Sequence, residues 1–145
     1  MKYFLVLFSL TLACAKPNYQ DDAKQEQQQI VNSDGYKLVS ASLGLTVDLN
    51  FDKAPNDSEE NFFTLQFHQA GSLVPVAVDQ TIAVVLWMPS MGHGSSPVKI
   101  QKTADGIYLV SKVYFIMPGD WEIRLQIKDK ETLNVVEQII QKLSI

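Results

Sequence analysis

The chain has 145 residues, enough for one domain with its own core and too few for two of ordinary size. Hydrophobic residues make up 46% and charged residues 19%, a globular balance that excludes a disordered chain. The net charge is -4, the basic residues are scattered and Arg124 is the single arginine, which excludes nucleic acid as a partner because phosphate binding needs clustered positive charge.

The chain opens with "MKYFLVLFSLTLACAK", in which Lys2 precedes an apolar run from Tyr3 to Leu12 and small residues lead to Cys14. That pattern predicts a secretory signal peptide over residues 1–13, since the run is too short to span a bilayer as a mature helix. Cys14 is the one cysteine of the chain, so no disulfide can form within it and stability must come from packing. Its position after Leu12-Ala13 resembles the lipobox of bacterial lipoproteins, with Thr11 where that motif usually has leucine. The resemblance implies a lipidated Cys14 and a protein held at the membrane outside the cytoplasm. Ala15 is not the aspartate that retains a lipoprotein at the inner membrane, which points to an outer membrane where there is one. Residues 14–35 are polar and glutamine-rich and read as a tether, the alternative being a short solvated helix, since Gln, Glu, Lys and Ala are good helix formers.

From Tyr36 to Ile145 the hydrophobic period is mostly two. Leu45, Val47, Leu49 and Phe51 alternate with polar residues until the turn "DKAPNDS". Phe63, Leu65 and Phe67 alternate in the next run, which ends near Gly71, and "TIAVVLWM" is apolar on both faces, as expected of a strand in the middle of a sheet. A short "VKI", a turn at "TADG" and a long strand from Ile107 to Met117 follow. Trp121, Ile123, Leu125 and Ile127 then alternate cleanly, placing Asp120 and Glu122 beside Arg124 on an exposed face as surface charge. The tail "TLNVVEQIIQKLSI" fits either a helical stripe or a strand, and the hairpin turn before it favours the strand. The reading is an all-β, immunoglobulin-like antiparallel sandwich of about seven strands.

Between these strands lies "WMPSMGHGSSP", where two methionines and a histidine sit in a glycine-, proline- and serine-rich loop. If consecutive strands run antiparallel, this loop and Met117-Pro118-Gly119-Asp120 lie at one end of the sandwich and His68 at the other. Met88, Met91, His93 and Met117 then share one rim. Thioether sulfur is soft and uncharged and suits Cu(I), while imidazole suits copper in either oxidation state. Gly92 and Gly94 permit the backbone angles that such a convergence needs. The other reading is a hydrophobic lid of methionines over the sandwich end. The G-x-S-x-G spacing of a nucleophile turn is absent from "GHGSS", so no enzyme is expected.

The segments "WMPSMGHGSSPVKI", "DGIYLVSKVYF" and "IMPGDWEIRLQI" resemble the FixH and YtkA-like family of small extracytoplasmic β-sandwich domains, whose pattern is a Met-Pro-x-Met-x-His loop followed by Met-Pro-Gly-x-Trp. The resemblance covers roughly residues 36–145 and implies an immunoglobulin-like fold, copper handling and a copper-handling envelope protein as partner, with Met88, Met91, His93 and Met117 at the motif positions. FixH itself is anchored by a transmembrane helix, unlike the lipid expected here. A non-catalytic interaction module, its methionine rim docking a membrane or envelope protein, is the competing function.

Overall fold

The computed structural model describes residues 35–145; the expected signal peptide, Cys14 and the tether up to residue 34 lie outside the described residues. The elements are β1 (Tyr36–Ser40), β2 (Leu45–Phe51), β3 (Asn61–His68), β4 (Thr81–Met88), β5 (His93–Gly94), β6 (Lys99–Ala104), β7 (Ile107–Val113), β8 (Asp120–Lys128) and β9 (Val135–Ser144). They form a five-stranded sheet in the order β1-β2-β3-β7-β6 and a four-stranded sheet in the order β5-β4-β8-β9. Every pairing between named strands is antiparallel.

Alternation explains why the sheets face one another. Side chains of a strand point to opposite faces in turn, and the inward sets are Val47 and Leu49 of β2, Phe63, Leu65 and Phe67 of β3, and Tyr108 and Val110 of β7. They meet Val84, Leu86 and Met88 of β4 and Trp121, Ile123, Leu125 and Ile127 of β8. Each large apolar side chain so buried contributes about 1.5–3 kcal/mol. The result is the expected antiparallel β-sandwich.

The structure has nine strands among the described residues where the sequence predicts about seven. The two additions are β1, too short to show a clear period, and the two-residue β5. Three expectations change. The strand from Ile107 ends at Val113, not Met117, because the pairing of β3 with β7 slips between Asn61 and Phe63 and Lys112 takes a left-handed φ of 57°. The strand β4 is not central: β5 covers only Trp87 and Met88, and Val85 faces solvent. Glu122 is not ordinary surface charge, since it is buried, its Oε2 accepting hydrogen bonds from Arg124 Nε (2.9 Å) and Nη2 (2.7 Å). The guanidinium in turn lies 4.6 Å from the ring centroid of Trp87.

One side of the sandwich is closed by Glu137 of β9, which reaches the turn after β1. Its carboxylate accepts from Ser40 Oγ (2.6 Å), Ala41 N (2.8 Å), Ser42 N (3.2 Å) and Ser42 Oγ (2.6 Å). Burial alone would raise the Glu137 pKa, but the donors at Ser40, Ser42 and Ala41 outweigh it and hold it below the ordinary glutamate value. A depressed folded-state pKa means stabilisation that is present above the unfolded value near 4.3 and lost as pH falls through the folded value. Glu137→Gln should therefore lower stability by about 1 kcal/mol at neutral pH, the low end for a charged hydrogen-bond group that is partly solvated. Urea unfolding at a series of pH values should show the gap between parent and variant closing below about pH 4; a gap independent of pH would mean that the clip does not form.

Candidate functional site

Strand directions place the chemistry-bearing loops. Tyr36 pairs with Leu49 near the end of β2, Phe51 with Phe63, and Asn61 with Val113, so one end of the five-stranded sheet gathers the start of β1 and the end of β7. The chain then crosses through Tyr114–Gly119 to β8, whose Glu122 pairs with Trp87 at the end of β4. Met88–His93 and Met117–Asp120 thus occupy the same end of the sandwich. His68 lies at the end of β3, opposite Thr46, and belongs to the far end, where its Nε2 is 3.0 Å from Asp48 Oδ2.

The β4–β5 hairpin carries three of the four candidates. Met88 O accepts from Met91 N (3.2 Å) and Gly92 N (3.0 Å), and Gly92 has φ +66°, so the chain reverses within four residues and brings His93 directly opposite Met88. Opposite residues of an antiparallel pair project to the same face. His93 Nδ1 donates to Gly94 O at 3.2 Å, which assigns the Nδ1–H tautomer and leaves the Nε2 lone pair free. Gly94 is required because a Cβ there would lie 2.5 Å from Leu86 O. The close approach holds β5 against β4.

Met117 comes from the crossover. Trp121 is fully buried, its ring 5.4 Å from that of Phe115, and its indole Nε1 donates to Met117 O at 3.0 Å. Gly119, at φ +136°, exchanges a pair of 3.0 Å backbone hydrogen bonds with Ile145. A Cβ on Gly119 would lie 2.7 Å from Met88 Cε. The turn that carries Met117 is therefore seated on the Met88 methyl group.

The four side chains differ in exposure. Met88 is 4% exposed and part of the core, Met117 packs against that core, and Met91 is 54% exposed, as His93 is also exposed. Among the described residues no group of three or more His, Cys, Asp or Glu is placed to hold a metal. A metal at this end would have thioethers and one imidazole as its donors, a set that fits Cu(I) and suits zinc, magnesium or calcium poorly. Sequence reasoning missed Glu60, whose Oε1 accepts from Lys112 N (2.7 Å) and Oε2 from Tyr114 Oη (3.1 Å), holding the start of the crossover. It sits in a polar turn with nothing in its pattern to mark it.

The fold and these end loops define a small antiparallel β-sandwich domain with a Met/His hairpin seated against a Met-Pro-Gly turn. The YtkA-like family model matches residues 40–126, which include both loops and more than half of the chain, and the chain belongs to the YtkA-like family. No curated protein matches it.

Gly119→Ala tests the seat. It combines a disfavoured φ with a close approach to Met88 and should destabilise the domain by about 1–3 kcal/mol, read as a lower urea midpoint. An unchanged midpoint would put the Met88 side chain elsewhere.

Proposed function

We propose that this protein is a non-catalytic, lipid-anchored extracytoplasmic YtkA-like domain that binds Cu(I) through Met88, Met91, His93 and Met117, buffering copper or passing it to a copper-handling envelope protein. The observation that carries the reading is the gathering of these four residues at one end of the sandwich. Met88 and His93 are cross-strand partners, Met91 lies in the loop between them, and the Met117 turn touches Met88. Neutral donors suit a singly charged, soft ion, since three thioethers and an imidazole with a free Nε2 leave the site with a single positive charge. Cys14 supplies the anchor, its acyl chains each contributing about 0.8 kcal/mol per buried CH2.

A specific observation favours a second reading. Met88 is in the core, where a thioether fills space without needing a ligand. Under that reading the loop is a lid, and the domain is an interaction module whose exposed Met91 contacts a membrane or envelope protein.

Titration of the domain with Cu(I) against a competing chelator separates the two. The parent should bind Cu(I) and ignore zinc, whereas Met91→Leu combined with His93→Asn should leave too few donors to compete. Both substitutions are at exposed positions, so circular dichroism should show the fold intact. Equal binding by the double variant, or no binding by the parent, leaves the interaction module. The anchor has its own test: Cys14→Ser should abolish metabolic labelling with a fatty acid, and equal label in the variant would exclude it.

A further inference from the structure

We propose that Met91 is a reversible oxidation site: a hydroperoxide turns its thioether into the sulfoxide, Met88 stays protected, and the affinity of this end of the sandwich for metal falls. The inference rests on the Cu(I) reading and adds a means of regulating the same site.

The methionines of this end are graded in exposure. Met88 is 4% exposed, its side chain in the core cluster and its Cε against Gly119, and Met117 is half-buried against that cluster. Met91 is 54% exposed and stands outside it. The backbone accounts for the difference: Met91 N donates to Met88 O at 3.2 Å in a tight reversal, and a Cβ on the next residue, Gly92, would meet nothing within 4 Å. The loop stands in solvent, and an oxidant reaches Met91 without any opening of the fold.

The reaction is a two-electron oxygen transfer. A lone pair on Met91 Sδ attacks the terminal oxygen of the hydroperoxide, an S–O bond forms as the O–O bond breaks, and the proton of the transferred oxygen passes to the departing oxygen, which leaves as water or an alcohol. Sulfur is oxidised and the peroxide reduced. At Met88 the polar sulfoxide would be placed in the core without a partner, whereas at exposed Met91 water solvates it. Oxidation of Met91 therefore leaves the packing in place. The sulfoxide presents a hard oxygen where Cu(I) prefers a soft sulfur. Metal and oxidant also compete for the same sulfur lone pair, so an occupied site is shielded and an empty one is open.

The test uses the full chain in mild detergent with Cys14→Ser, which removes the one thiol that would compete for oxidant and metal. After treatment with tert-butyl hydroperoxide, tandem mass spectrometry reads the added oxygen at each methionine. Met91 should be oxidised at least about tenfold faster than Met88, with circular dichroism unchanged. Equal rates, faster oxidation at Met88, or loss of the fold on oxidising Met91 overturns the proposal. In Cu(I) titration against a chelator, the Met91 sulfoxide protein should bind at least about tenfold more weakly than the parent, match Met91→Leu, and regain the parent affinity after treatment with methionine sulfoxide reductase. Parent affinity in the sulfoxide protein overturns the switch. Saturating Ag(I), a soft singly charged ion that does not cycle with peroxide as Cu(I) does, should slow oxidation at Met91. A parent that binds both ions while Met91 oxidises at its metal-free rate places the metal on other residues and sinks the switch alone. A parent that binds neither ion sinks the Cu(I) reading, and the switch with it.

Discussion

The indole of Trp121, buried between the two sheets with its N–H on the carbonyl of Met117, is the constraint from which the rest of the Met/His end follows. A buried tryptophan needs an acceptor for its one donor, and a crossover between sheets needs partners for its backbone. One hydrogen bond meets both needs. It fixes where the crossover turns, and Gly119 then brings the chain against Met88 and the last residue, Ile145. The strand β8 can begin only after this turn is made. Its pairing with β4 in turn sets the position of the β4–β5 hairpin.

The two functional readings of the methionines meet in the same geometry. Met88 completes the core and also forms the seat of the Met117 turn, while Met91 and His93 are exposed in and just after the reversal that follows it. Buried and exposed positions are divided along one hairpin. The buried member gives the end its rigidity and the exposed members give it access.

The sides of the sandwich are finished unequally. On the β1–β9 side a single carboxylate, Glu137, receives four hydrogen bonds and ties the two sheets together across an edge. On the outer face of the smaller sheet, Glu122, Arg124 and Trp87 form a compact group in which the carboxylate is held by the guanidinium and the guanidinium by the ring. Both are polar devices at the margin of the apolar core, and both sit where a strand edge or face would lack a partner.

Much of this was legible in the sequence because a strand carries its burial in a period of two. Leu45 to Phe51, Phe63 to Phe67 and Trp121 to Ile127 each announce their inward face, and the turn residues between them announce the reversals. The Met-Pro loop and the Met-Pro-Gly turn were legible as motifs, and strand counting put them at one end with His68 at the other. What the period cannot carry is which strand lies beside which. Sheet membership of β6 and β7, the near-edge position of β4, and the break at Lys112 come from pairings between residues far apart in the chain. Glu122 reads as exposed by alternation and is buried because Arg124 and Trp87 cover it. The seating of Gly119 on Met88 joins positions thirty-one residues apart, and only the packing of the two sheets brings them into contact. Sequence by itself determined most faces of the strands and the motifs of the loops; tertiary structure decided the neighbours, because side-chain alternation records a strand's own two sides and says nothing of what fills them.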